Sequence, residues 1–356
     1  MSKKISIYDI AKYVGVSPAT VSYAINGKKK ISLETKQKIF KAIDELGYVP
    51  DTMARTLSTG RSHLIGLCLP IDDSSSQIVE NPFYVEFISG LELGIAKFDY
   101  DIVIGCQENK NDFKSWARSR RLDGVIMLGK YPRKVYESIK ELNIPIVLID
   151  VYEEYANEFH NIRVDDEGGM YEATNFMIKN GHTKIGFAGA IDKSLVDYHR
   201  YLGYRRALED NHVEYQDDFL FSGYATFDSG CEIAKKIIQR NNITAICCSG
   251  DIIGIGIIRT YCELGKKIPE ELSVIGFDDI QDDKYLFPSL TTMSQDIRLK
   301  GQLAAKTIIE NIDNSNNSFS ICSYVGRAAS VSYSSIWIDV YTSSLTNLSL
   351  RRTASS

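Results

Sequence analysis

The sequence predicts a small all-α N-terminal unit built on a helix-turn-helix, followed by a two-lobed α/β body with parallel sheets. Three observations carry that prediction. Between Ile5 and Tyr48 apolar residues recur at helical spacing; beyond His63 short β-branched runs alternate with helical stretches in a series that occurs twice; and the two parts carry opposite net charge.

At 356 residues the chain exceeds what one compact domain usually needs, and its 44% hydrophobic and 24% charged residues exclude disordered and fibrous classes. No apolar run approaches the roughly 20 residues of a membrane helix. The opening MSKKISIYDIAKY turns polar and amphipathic at once, without a signal-like apolar stretch, so a cytoplasmic protein with no membrane partner is expected. Seven Cys without paired spacing fit reduced thiols. Through Arg61 there are 11 Lys and Arg against 5 Asp and Glu, a surplus of +6, so the remainder carries −11 of the overall −5. A basic head on an acidic body points to nucleic acid at one end only.

In the head, Ile7, Ile10, Ala11 and Val14, then Val21, Ala24 and Ile25, then Ile39, Ala42, Ile43 and Leu46 mark three short helices. Ser6 precedes the first and Gly15 opens the turn after it. Ser17 and Pro18 supply an N-cap and first-turn proline for the second; Ser32 caps the third, Glu34 and Lys38 form an i,i+4 pair, and Gly47 ends it. The second helix presents Ala19, Thr20, Ser22, Tyr23 and Asn26 outward, followed by Lys28, Lys29 and Lys30. Small and hydrogen-bonding side chains on such a helix suit the major groove, with lysines for phosphates. A solvated helical hairpin with an incidental lysine run would give the same local pattern.

The segments IYDIAKYVGVSPATVSYAING and ISLETKQKIFKAIDELGYVPDTMARTLSTGRSHLIGLCLP, running from Ile7 to Pro70, resemble the headpiece, hinge and first strand of the lactose-repressor (LacI/GalR) family of bacterial transcription regulators. The resemblance implies base contacts by Pro18, Ala19 and Tyr23, and backbone contacts by Tyr8, Ser17, Thr20, Ser22, Asn26, Lys30, Ser32 and Thr35. Ala19 suits a thymine methyl and Tyr23 a single hydrogen bond; without Arg or Gln for a bidentate contact, direct readout per half-site is modest. In the hinge, Asp51 can cap one or two helical turns, too few to be stable alone. The resemblance implies that they fold on DNA against a dimer mate, with Ala54, Leu57 and Ser58 at the minor groove and Leu57 as the wedge.

In the body, HLIGLCLP, DIVIGCQE, LDGVIMLG and IPIVLID read as strands, and HTKIGFAGA, FLFSGYA, ITAICCSGD and LSVIGFDD repeat the series. Stretches such as 84–98 and 202–211 are helical between them, giving two similar lobes of parallel sheet covered on both faces. Ligands of such sheets bind beyond the strands' carboxyl ends, where Asp150, Asp251, Asp278 and Asp279 lie, with Phe83 and Tyr84 after the first strand and Arg200 before LGYRRAL at a helix start. Planar rings, carboxylates and a guanidinium suit a small polyhydroxylated ligand. Each Asp serves equally well as a helix N-cap, Asp251 and Asp279 above all.

The motifs NPFYVEFISGLE, RYLGYRRAL, ITAICCSGD, LSVIGFDDI and PSLTTMSQD resemble the same family's periplasmic-binding-protein-like effector domain, from His63 to about Ile309. That resemblance implies an effector cleft containing Phe83, Tyr84, Asp150, Arg200, Asp278 and Gln295; Asp251 is counted among the binding residues from its place at a strand end. Gly250 stands where sugar-binding members often have Asn, and Cys247 where others place a pocket-lining group. A sugar is the first expectation for the effector, a phosphorylated protein or another metabolite the second.

The expected organisation is 1–49 headpiece, 50–61 hinge, 62–320 effector and dimerisation domain, and 321–356 an atypical end. The N-lobe takes about 62–162 and 291–318, the C-lobe about 163–290. The last forty residues hold twelve Ser and four charges, Arg327, Asp339, Arg351 and Arg352; the family's last strand is not legible there, which leaves that lobe incompletely closed. No HExxH, GxSxG or GxxxxGK[ST] occurs, Arg259 breaks a dinucleotide fingerprint at Gly254 and Gly256, and the five His lack ligand spacing. The expectation is a non-enzymatic repressor without cofactor or metal, a homodimer on a palindromic operator, controlled by a small ligand between its lobes. An exported solute receptor and a sugar-modifying enzyme are the rival classes. The first lacks a leader here and has no use for the headpiece; the second lacks a base, a nucleophile and a phosphate loop.

Overall fold

A computed structural model describes residues 5–26, 31–48, 60–69, 81–105, 113–240, 242–313, 323–326 and 331–332. The chain divides into two compact units, 1–63 and 64–356.

The first unit contains three helices, α1 (Ile7–Val14), α2 (Pro18–Asn26) and α3 (Leu33–Leu46). The amide and hydroxyl of Ser6 both donate to Asp9, at 2.9 and 2.6 Å, and start α1. Gly15, at φ 75°, ends it in the left-handed region that glycine enters without steric cost. Thr20 N–H donates to Ser17 Oγ at 3.1 Å and Thr35 N–H to Ser32 Oγ at 3.2 Å, so both anticipated caps form. Lys38 meets Glu34 at 2.7 Å. Ile10, Ala11, Val21, Ala24, Ile39 and Ala42 close a small core.

In the second unit, β1 (Leu64–Cys68), β2 (Asp101–Gly105), β3 (Gly124–Leu128), β4 (Ile146–Ile149), β5 (His160–Val164) and β11 (Ser323–Gly326) make one sheet, ordered β11-β5-β4-β3-β1-β2 and parallel throughout. The other sheet has the order β12-β10-β9-β8-β6-β7. It comprises β6 (Ile185–Ala188), β7 (Leu220–Phe221), β8 (Ala245–Cys248), β9 (Ser273–Asp278) and β10 (Thr291–Ser294), with β12 (Val331–Ser332) antiparallel at its edge.

The connecting helices are α4 (Pro82–Ile95), α5 (Phe113–Arg120), α6 (Arg133–Lys140), α7 (Asp166–Lys179), α8 (Leu195–Asp210), α9 (Phe227–Arg240), α10 (Asp251–Glu263) and α11 (Ile297–Asp313). Strand alternation sorts the core. Val125 and Met127 pack with Trp116 and Tyr136 of α5 and α6, whereas Ile126 and Leu128 join the cluster of Phe87 and Leu91 from α4 and Ile308 from α11. Fully burying a side chain such as Phe87 contributes roughly 2–3 kcal/mol. Cys247 and Cys248 likewise face opposite sides of their sheet, which is why adjacent thiols there are separate core residues.

The contact of α4 with α11 depends on glycine: a β-carbon on Gly90 would stand 2.2 Å from the Arg298 carbonyl oxygen, and one on Gly301 would stand 2.4 Å from that of Phe87. This close approach carries the residues around Lys300 to the end of the first sheet.

Four expectations change. The segment HNIRV, absent from both series of strands read from the sequence, is β5; its Asn161 donates its side-chain amide to Val151 O at 2.7 Å. The first lobe therefore extends through Val164. Residues 291–294 pair with β9, so the chain returns to the first lobe only at α11, not at 291. Of the 321–356 segment, 323–326 and 331–332 add one strand to each sheet, so the second lobe does gain a closing edge strand. Arg200 is not at a helix start: α8 begins at Leu195, capped by Ser194, because the polar residues before Leu202 lie in its first turns.

Candidate nucleic-acid interface and ligand cleft

The headpiece core turns Val21 and Ala24 of α2 inward, which leaves Ala19 and Tyr23 exposed and Pro18, Thr20 and Ser22 half-buried. Tyr8 is 70% exposed, Ser17 and Ser32 are exposed, and Thr35 is half-buried. The Ser17 and Thr20 hydroxyls bond each other at 2.8 Å, as do Ser32 and Thr35 at 2.7 Å. Each hydroxyl keeps further capacity, so capping and a phosphate contact are compatible. Asn26 closes α2, but its side chain lies outside the described residues, as do Lys28, Lys29, Lys30, Ala54, Leu57 and Ser58. Lys38 and Lys41 are drawn to Glu34 and Glu45 on their own helix.

In the second unit a cavity of about 460 Å³ opens at the carboxyl ends of the strands, and Phe83, Tyr84, Asp150, Arg200, Asp278 and Gln295 all line it. Residues far apart in sequence form one hydrogen-bonded chain there. Arg200 Nε donates to Asp166 Oδ1 at 2.8 Å, and its Nη1 donates to the Ser249 carbonyl and, at 3.4 Å, to Asp278 Oδ1. The guanidinium lies 3.7 Å from the centroid of the Phe277 ring. Gln295 Nε2 also donates to Asp278 Oδ1. Gln295 Oε1 accepts from Lys300 Nζ at 2.6 Å, and Lys300 spans both oxygens of Asp150 at 3.0 and 2.9 Å.

Electrostatics follow from burial. Desolvation pushes the Asp278 carboxyl up to about 7 against the pull of Arg200. It raises Asp150 despite Lys300, and Asp197 despite the Ala190 amide and Ser249. Burial opposes the charge of Arg200, but Asp166 and Asp278 outweigh it and hold its pKa above the ordinary value. Asp150 at φ 55°, Asp278 at φ 137° and Asp279 at φ 60° sit in backbone conformations that side chains rarely adopt, a strain of about 1–3 kcal/mol each. Two polar atoms of this network stay open: among the described residues, Asp278 Oδ2 accepts no hydrogen bond and Arg200 Nη2 donates none. A β-carbon on Gly250 would lie 3.5 Å from that oxygen, so the glycine leaves room there.

Asp251 departs from expectation. It is fully buried and does not line the cavity; its Oδ2 accepts from Ile280 N–H at 3.2 Å and its Oδ1 from Thr292 Oγ1. It ties the loop after β9 to β10 beneath the cleft. Lys300 and Asp166 are residues the sequence reading missed. One signal was legible: Ile297, Lys300, Gly301, Ala304 and Ala305 share the buried face of α11, and a lysine on such a stripe needs a buried partner. Among the described residues no cluster of His, Cys, Asp and Glu could hold a metal ion, and no helix is long and apolar enough to cross a membrane.

Comparison with known proteins gives the same division. Residues 6–51 match the family model of bacterial regulatory proteins of the lacI family, and residues 174–320 match a periplasmic binding protein-like domain. The HTH-type transcriptional repressor PurR of Vibrio vulnificus (strain CMCP6) is 31% identical over 315 residues, covering 86% of this chain and 92% of the relative. A lac repressor dimer bound to operator and the anti-inducer ONPF superposes with a TM-score of 0.77 at 21% identity, covering 94% of this chain and 99% of that one. A complex of the transcriptional regulator CelR with cellobiose superposes at 0.70 with 22% identity, covering 93% and 99%. These two share the fold. Identity of 31% across nearly the whole length of a repressor, with a headpiece model matched at the N-terminus, settles the family. The chain belongs to the lacI family of bacterial regulatory proteins, DNA-binding transcriptional repressors rather than enzymes.

Proposed function

We propose that this regulator represses transcription as a cytoplasmic homodimer on a palindromic operator, and that a sugar in the cleft sets its affinity for DNA. The observation that carries the ligand reading is the open donor and acceptor of one ion pair, Arg200 Nη2 and Asp278 Oδ2, on residues that line the cavity together with Phe83 and Tyr84. A hydroxyl both accepts and donates, so it satisfies such a pair, and the rings suit the apolar face of a sugar. The cellobiose held by the similar regulator supports the same class. The headpiece supports the DNA reading: Pro18, Ala19 and Tyr23 read bases, while Tyr8, Ser17, Thr20, Ser22, Asn26, Lys30, Ser32 and Thr35 hold the backbone. Residues 50–61 form the hinge, with Ala54, Leu57 and Ser58 at the minor groove, and two headpieces sit about 34 Å apart. Closure of the lobes on a ligand shifts the balance between two hinge arrangements, which is the coupling.

The test is salt-titrated binding of the full chain to a palindromic duplex, with and without sugars selected by thermal shift. The expected result is a log–log slope near −0.9 per neutralised phosphate and an operator affinity that the selected sugar alters. A flat salt response overturns the DNA reading. Unchanged affinity under a saturating sugar overturns the allosteric one.

A further inference from the structure

Lys300 has a side chain only 3% exposed and does not line the cavity, yet its ammonium sits directly behind two residues that do, Asp150 and Gln295. A buried ammonium is costly unless its protons are all received. Here they are: two go to the oxygens of Asp150 and one to Gln295 Oε1, and the ammonium lies 5.4 Å from the Phe83 ring centroid. Two consequences follow for a ligand. Asp150 lines the cavity, but its oxygens are already engaged by Lys300. Gln295 has its carbonyl turned to Lys300, so its amide N–H points at Asp278 Oδ1. What Lys300 leaves open is Asp278 Oδ2 and Arg200 Nη2.

We propose that Lys300 is a specificity-determining residue that acts through Asp150 and Gln295. It is an internal ammonium ligand that engages the cleft's Asp150 from behind, so that an effector is read by hydroxyls at Arg200 and Asp278 and a primary amine finds no free carboxylate at Asp150. This rests on the cleft being the effector site. It goes beyond that reading in naming Lys300 as the residue that excludes amines.

Lys300→Ala removes three methylenes and the ammonium, the equivalent of n-propylammonium. The full chain, without DNA, is melted in n-propylammonium chloride, in sodium chloride of equal ionic strength, and in n-propanol. The expected result for Lys300→Ala is a saturable rise of roughly 2–4 °C with the amine alone. The wild type, whose site is filled, shows no such rise, and neither does Lys300→Ala combined with Asp150→Asn. An equal response to n-propanol, or an amine response that survives Asp150→Asn, makes Lys300 a packing residue and overturns the proposal. Should Lys300→Ala not fold, the cycle of Lys300→Met, Asp150→Asn and their combination decides: charge pairing makes the double variant more stable than Lys300→Met alone, whereas additive losses overturn it. Because DNA is absent, a variant that takes up the amine but exerts no control at an operator leaves this proposal standing and counts only against the regulatory reading.

Discussion

Asp283 is only 3% exposed, and among the described residues neither of its carboxyl oxygens finds a donor. Its neighbour is the carboxyl of Asp251, whose own oxygens already accept from Ile280 N–H and Thr292 Oγ1. Two carboxyls buried side by side cannot both be ionised without a large cost, and Asp283, whose oxygens have no donor, is the one that keeps its proton. Burial, with the charges of Asp251, Asp279 and Asp278, raises the Asp283 pKa from 3.8 to about 11. The sign follows from proton counting. Below about pH 4 folded and unfolded chains both carry the proton; above it the unfolded chain releases it and the folded chain does not, so stability falls as pH rises. One proton costs about 1.4 kcal/mol per pH unit, or about 3 kcal/mol between pH 5 and 7. Asp283→Asn keeps the shape, is neutral at every pH and removes this dependence. Urea unfolding of the full chain, followed by circular dichroism from pH 5 to 8, should show the variant gaining on the wild type by up to about 1.4 kcal/mol with each pH unit. Parallel pH profiles for the two proteins would mean that Asp283 is ionised in the fold, and the retained-proton account would be wrong.

Three further outcomes are expected. Gly90→Ala places a β-carbon 2.2 Å from the Arg298 carbonyl oxygen, so α4 and α11 must separate; a loss of about 1–3 kcal/mol by chemical denaturation is expected, and a neutral effect would show that the crossing adapts freely. Because burial raises Asp278 to about 7, affinity for a sugar donating to its carboxylate should rise about tenfold from pH 6 to 8 by calorimetry, and Asp278→Asn should flatten the profile. In operator binding, Tyr23→Ala should change sequence preference, whereas Lys30→Ala should weaken all duplexes alike and lower the salt slope by about 0.9; the reverse pattern would exchange their roles.

Local chemistry made much of the molecule legible. The left-handed turn at Gly15, the caps at Ser17 and Ser32, and the nearly unbroken apolar runs of β1, β3, β4, β6, β8 and β9 depend on residues within one or two turns of each other. A short-range pattern can encode these. Six of the seven cleft residues named from the sequence do line one cavity, because strand ends in a parallel sheet gather on one side. Polar or two-residue strands such as β5 and β12 carry no such pattern, and their existence is decided by the neighbour that accepts their hydrogen bonds.

The chain's own order of residues thus sufficed for helices, most strands and the side of the sheets on which a ligand rests. Folding in three dimensions decided the pairings. Lys300 meets Asp150 across 150 positions, Arg200 joins Asp166 to Asp278, and Asp251 turns away from the cleft to Thr292. The physical reason is that a buried charge is tolerable only where a partner arrives from another element. Which partner arrives depends on how helices cross and strands order, and no local run of amino acids specifies that.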